Sequence, residues 1–182
     1  KPNSCSNYEK IISDKDKKFI ESLSLEYKNY GKVKFKGIAS TNNLSDFPFR
    51  LQRSLDNIYY TFWETLAHFP INVDFTLFKK EKIKCYKISS GDDKANHRMP
   101  IKWKLLGSND YQNWILLDKR ENEINWKNSS SRKYDIKKSD FYKYYKLNFF
   151  EVDGGRFFRI YKLALSEKDC NVPFWKNNHQ KI

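Results

Sequence analysis

Between residues 71 and 77, apolar and polar side chains alternate without a break. Ile71, Val73, Phe75 and Leu77 interleave with Asn72, Asp74 and Thr76. A period of two places the four apolar residues on one side of an extended chain, whereas a helix would spread them around its axis. The segment is therefore a strand with one buried face. Further short runs bounded by turn residues share this texture: 33–38, 83–88, 101–105, 114–117, 142–150 and 157–165. About seven or eight such strands, with few helices between them, read as an antiparallel sandwich or jelly roll. Phe, Tyr and Trp make up 17% of the chain, and these residues favour strands, so the core is expected to be aromatic.

One stretch departs from the strand texture. Ser13 is placed to cap a helix from Asp14 to Tyr30, in which Phe19, Leu23 and Tyr27 recur every four residues beside Ile20. Gly31 is placed to stop it. The expected organisation is a lead-in and helix at 1–31 (a linker or packing element), a sandwich at 32–167 and a polar tail at 168–182. No run approaches the roughly 18–20 apolar residues of a membrane-spanning helix.

Lys and Arg total 35 against 22 Asp and Glu, a net charge of +13. Such a surplus attracts acidic glycans, phospholipid headgroups and nucleic acid alike. The lysines are dispersed and no Arg-rich patch stands out, which argues against nucleic acid. The three cysteines form no CxxC pair and have no His at ligand spacing, so no zinc site is expected. Cys5 and Cys170 are placed to join the two ends, and Cys85, in mid-strand, reads as a buried free thiol. Asn43-Leu44-Ser45 and Asn128-Ser129-Ser130 are glycosylation sequons with meaning only in a secreted chain. No nucleophile–base constellation, GxSxG or HExxH is present, so no catalytic residue or cofactor is expected.

The order of several motifs resembles the coagulation factor 5/8 type C, or discoidin, domain family. The pieces are Ile38-Ala39-Ser40-Thr41, Leu55-Asp56 through Thr61-Phe62-Trp63, Phe69-Pro70 before Ile71, and Met99 to Leu105. Gly107-Ser108-Asn109-Asp110 with Trp114, Tyr144 to Leu147 and Phe158-Arg159-Ile160 complete the series. The resemblance covers about residues 32–167 and implies an all-β, galactose-binding-like jelly-roll β-sandwich, here with a short N-terminal helix. It also implies a non-catalytic binding module attached to a larger protein. Ser108, Asn109 and Asp110 are expected to hold a tight turn through backbone amides, with Trp114 entering the core beyond it.

Many relatives hold a structural calcium between an Asp-rich loop and a glutamate near the last strand. Here Asp56 and Thr61 keep their places, but Lys162 stands where that glutamate would be, and an ammonium opposes a dication. No metal is therefore expected. The sugar binders of the family use an aromatic platform with His, Arg and Asn from loops at one end. In this chain Glu64 replaces the histidine and Ala67 the platform. A different site is expected from Glu64, His68, His97, Arg98 and Arg156, with Phe47 or Tyr111 as the apolar wall. The loops 41–50, 64–69 and 90–99 should meet at one end of the sandwich. Carbohydrate is the first ligand class, with acidic glycans suggested by the charge. A protein-interaction or scaffolding domain and an anionic-membrane binder are the alternatives, and other domains of a parent protein are expected partners. An extracellular or cell-surface location fits these readings, and an intracellular place in a larger protein stays open.

Overall fold

The computed structural model describes residues 37–171, except 44, 46–48, 57, 59 and 93. The expected N-terminal helix, the tail beyond 171 and Phe47 lie outside the described residues. Ten strands follow in order: β1 (Gly37–Thr41), β2 (Trp63–Leu66), β3 (Ile71–Lys82), β4 (Cys85–Ser89), β5 (Pro100–Ser108), β6 (Ile115–Arg120), β7 (Ser131–Asp135), β8 (Phe141–Val152), β9 (Phe157–Ile160) and β10 (Lys162–Ser166). A short helix, α1 (Gln52–Leu55), and a 3-10 turn at Asn96–Arg98 lie between them.

Every strand pair is antiparallel. One sheet has the order β1-β3-β8-β5-β6; opposite it lie a three-stranded sheet, β10-β4-β7, and the pair β2-β9. The alternation at 71–77 places its apolar residues as expected: Ile71, Val73, Phe75 and Leu77 are buried, and the polar residues between them are half-buried on the outer face. Opposite Val73 and Phe75 on the neighbouring strand stand Leu147 and Tyr145, both buried.

The core is aromatic. Trp103 meets the ring of Tyr134 at 5.2 Å and that of Phe149 at 6.1 Å. Phe158 lies 5.0 Å from both Phe149 and Trp63. A polar thread runs through this core. Trp103 Nε1 donates to Tyr86 Oη (2.7 Å), and Tyr86 Oη donates to Asp118 Oδ2 (2.7 Å). Arg120 closes the thread on Asp118 at 2.9 Å. The buried donors of Trp103 and Tyr86 therefore have partners, as burial requires.

Four expectations need correction. Cys85 is not a free thiol: it is bonded to Cys170 across a separation of 85 residues. The span 157–165 is two strands, because Tyr161 donates its N–H to Ser89 and the chain passes there from β2 to β4 as partner. Two strands went unread, β2 and β7, both short and rich in polar residues. Trp114 is not a core residue. It is half-buried, packs against Tyr111 at 5.1 Å, and carries the Lys146 ammonium 4.4 Å above its ring.

The turn before Trp114 is built as its residues suggest. Ser108 Oγ accepts the N–H of Tyr111 at 3.0 Å, and Asp110 Oδ1 accepts those of Asn113 and Gln112 at 2.7 and 2.9 Å. These backbone donors, led by Asn113, hold the Asp110 carboxyl well below the usual carboxylate range. The motif is scaffold.

Candidate functional site

β3 and β8 are the longest strands and give the sandwich two ends. At the end where β3 begins, three loops converge. Asn42 Nδ2 donates to Pro70 O at 3.0 Å, and Asn43 Nδ2 donates to Leu66 O and His68 O at 3.3 and 3.4 Å, which ties the loop after β1 to the loop after β2. Ala67 donates its N–H to Arg156 O at 2.8 Å, which brings in the β8–β9 turn. In that turn Gly155 lies against the His97 ring, close enough that an added Cβ would touch it at 3.5 Å, and its φ of +87° suits glycine.

The polar centre of this end is Glu64. It sits on β2 opposite Arg159 of β9, and its Oε2 accepts from Arg159 Nε at 2.6 Å and from Arg98 Nη1 at 3.0 Å. The carboxylate side chain is only 13% exposed, against 27% for Arg98. Removing charge from water is expensive, and two charge-assisted bonds offset it here. Each guanidinium also lies over an aromatic ring: Arg98 over Phe157 at 4.9 Å and Arg159 over Phe62 at 4.0 Å. Phe62 in turn stacks on Phe49 at 5.1 Å and meets Tyr161 at 5.0 Å. A Cβ at Gly91 would overlap the Tyr161 ring, so a glycine there lets the ring seat.

The consequence is a rigid group with spare valences. Glu64 Oε1, and the Nε and Nη2 of Arg98, take no hydrogen bond among the described residues. An acceptor and a two-pronged donor therefore stand side by side at the edge of the sandwich. That pairing suits a sugar hydroxyl and a carboxylate.

Of the residues read from the sequence, Glu64, His97, Arg98, His68 and Arg156 come to this end. His97, His68 and Arg156 are exposed. Tyr111 does not join them. It lies beyond the far end of β5, on the outer face, where it meets Tyr144 at 5.5 Å and the Lys146 ammonium at 4.9 Å. Arg159, Phe157 and Phe62 were missed. The available signal was Arg159 itself, a charge between the apolar Phe158 and Ile160 in a strand, which must face away from their side.

The place where the resemblance implies a calcium is built for a different cation. Lys162 Nζ donates to Arg53 O and Thr61 O, both at 2.7 Å, and to Thr61 Oγ1 at 3.0 Å, with Asp56 Oδ1 also at 3.0 Å. These are oxygens of the kind a hard dication collects. The ammonium is already at their centre, its side chain 11% exposed. Burial lowers its pKa from the ordinary lysine value, and Asp56 pulls it back up. A dication does not fit among these residues alongside that charge.

Comparison of the sequence with family models and with curated proteins finds no match. The fold does match solved structures. An F5/8 type C domain from Bacteroides fragilis aligns at a TM-score of 0.61 and 13% identity, over 76% of this chain and 99% of that one. A carbohydrate-binding module from Clostridium perfringens, solved with GalNAc-β-1,3-galactose, aligns at 0.58 and 20% identity, over 71% and 94%. A pectin-binding carbohydrate-binding module aligns at 0.56 and 18% identity, over 75% and 93%. The architecture is thus the galactose-binding-like β-sandwich of discoidin domains and carbohydrate-binding modules.

Proposed function

We propose that the chain is a non-catalytic carbohydrate-binding module whose site is the loop end around Glu64 and Arg98, and that it takes an acidic glycan. The observation that carries this reading is the shared Glu64 carboxylate. Two arginines over aromatic rings hold it at 2.6 and 3.0 Å, and among the described residues its second oxygen and the outer N–H groups of Arg98 make no hydrogen bond. Fixed donors and acceptors are what sugar recognition needs, since preorganised groups lose little entropy on binding. The Arg98 fork matches a uronate carboxylate, and Glu64 Oε1 matches a neighbouring hydroxyl. The same fold in modules solved with GalNAc-β-1,3-galactose or binding pectin supports glycan as the ligand class. The Cys85–Cys170 bond supports work outside the cytosol, where disulfides persist. No resident metal enters this reading, because Lys162 fills the cradle.

The test is calorimetric titration with polygalacturonate and with a neutral galactan, at low and high salt. Arg98→Ala is expected to weaken polygalacturonate binding about tenfold or more, the scale of one charge-assisted hydrogen bond lost. Lys138→Ala, an exposed change at the other end of the sandwich, leaves it unchanged. Equal loss in both variants, with salt abolishing what remains, would mean that the basic surface alone holds the polymer.

A further inference from the structure

At the end of the sandwich away from Glu64, the Cys85–Cys170 bond has a carboxylate beside it. Asp135 of β7 is the cross-strand partner of Cys85 on β4, so both side chains leave the sheet on one face. The two sulfurs and a carboxylate oxygen of Asp135 all lie within 4.8 Å of one another. Cys85 is buried, Cys170 half-buried and Asp135 exposed. The Asp135 carboxylate has no hydrogen bond or ion pair among the described residues.

Backbone bonds hold this group together independently of the disulfide. Lys84 donates its N–H to Ser166 O at 2.8 Å, and its own carbonyl accepts the N–H of Ile136 at 2.9 Å. The chain is thus laced across β10, β4 and β7 one residue from both Cys85 and Asp135. Ser166 Oγ accepts the N–H of Lys168 at 3.1 Å, and Cys170 O accepts from Lys133 Nζ at 3.4 Å. The Cα atoms of the two cysteines are 5.2 Å apart. A tetrahedral zinc ion, with Zn–S bonds of about 2.3 Å, needs its sulfurs about 3.8 Å apart. Rotation about the two Cα–Cβ bonds provides that separation with the backbone in place.

We propose that Cys85, Cys170 and Asp135 form a zinc site when the disulfide is reduced. A dithiol opens the bond by exchange: it becomes a cyclic disulfide, and its two hydrogens leave the cysteines as thiols. Zinc then displaces the two thiol protons into solvent. Asp135 is the third ligand, and its exposed side leaves the fourth position to water. Thiolate ligands select zinc over calcium or magnesium, which take oxygen. Two thiolates and a carboxylate exceed the charge of the ion by one, and Lys133, held at the Cys170 carbonyl, offsets that excess. The sequence shows no paired-cysteine spacing because the ligands come from β4, β7 and the segment after β10. This pair of sulfurs carries no metal when oxidised and one zinc when reduced.

The test uses the 182-residue chain, reduced with dithiothreitol, freed of it by gel filtration without oxygen, and titrated with cobalt(II). One equivalent should bind, with thiolate charge-transfer absorption in the near ultraviolet and tetrahedral bands in the red, and zinc should bleach both. The oxidised chain should show neither. Asp135→Asn keeps both sulfurs and should weaken the ion about a hundredfold, since even an outer partner of a metal site is worth roughly 10- to 100-fold. Cys5→Ser should change nothing. Zinc should raise the Tm of the reduced chain and leave that of the oxidised chain where it was. The proposal is overturned if Asp135→Asn binds as tightly as its parent, or if Cys5→Ser abolishes the spectrum. It is also overturned if the reduced chain with zinc is unfolded by circular dichroism, because the ion would then be held without β4 and β7. Arg98→Ala should match its parent in every arm, so this result and the polygalacturonate titration are read separately.

Discussion

Lys162→Met removes one charge and leaves the shape of the side chain nearly intact. The ammonium it deletes is the common partner of Arg53 O, Thr61 O, Thr61 Oγ1 and Asp56 Oδ1, all within 3.0 Å. Deleting one partner of a buried ion pair costs about 3–5 kcal/mol. Asp56 keeps its bonds from Thr61 Oγ1 at 2.7 Å and Ile58 N at 3.0 Å, and it is 22% exposed, so the lower end applies. About 3 kcal/mol in a domain of this size corresponds to a fall in Tm of roughly 10 °C. Lys162→Glu goes further, setting a second carboxylate beside Asp56 among carbonyl oxygens. In calcium-free buffer it should be less stable than the Met variant. Added calcium should raise its Tm, because an ion that binds only the folded state stabilises it, by about 2.7 kcal/mol at a hundredfold excess over Kd. The unchanged protein should melt at one temperature with calcium or with chelator. The assay is thermal unfolding by calorimetry. A drop in Tm of the unchanged protein with chelator would refute the reasoning, and so would a Met variant as stable as its parent.

Two further outcomes are expected. Gly91→Ala should lower both stability and glycan affinity, because its Cβ collides with the Tyr161 ring that supports Phe62 under Arg159; unfolding and titration read the two effects, and normal affinity would show that the aromatic stack does not position the site. The protein should lose stability above about pH 10, where unfolded tyrosines ionise. Burial pushes Tyr145 up to about 12 and raises Tyr86 and Tyr134 as well. The folded state then keeps protons that the unfolded state releases, and stability falls as pH climbs from 10 through the folded pKa, by about 2.5 kcal/mol for Tyr145 alone at pH 12. Part of the tyrosinate absorbance should therefore appear only with unfolding, and complete ionisation of all twelve tyrosines in a still-folded protein would contradict the burial of these three rings.

What the sequence discloses depends on whether a signal is local. The alternation at 71–77 reports its own burial, because each side chain's face follows from its neighbours along the strand. The Ser108–Asp110 turn is likewise closed by bonds spanning two or three residues. Contacts made through space leave no such trace. Cys85 finds Cys170 because Lys84 donates its N–H to Ser166 O at 2.8 Å and sets the two segments side by side, a fact absent from either segment. Trp126 is buried within a run of polar residues because its Nε1 reaches Pro100 O at 3.0 Å and Arg132 covers its ring at 4.2 Å. At the loop end, Glu64 and Arg98 were legible from their positions in the motif order. Arg159 was not, because its partner is 95 residues away.

The Cys85–Cys170 bond also decides how the domain bears load. β10 ends at Ser166 and hydrogen-bonds to β4 along its length. Without the bond, tension arriving from beyond residue 171 would open that ladder one rung at a time, the weakest way to pull a strand from a sheet. With it, the pull passes from Cys170 directly to Cys85 at the start of β4, which lies between β10 and β7. The final strand is slack under such traction. Force enters a central strand through a covalent link, and the oxidation state of two sulfurs sets whether the module peels or holds.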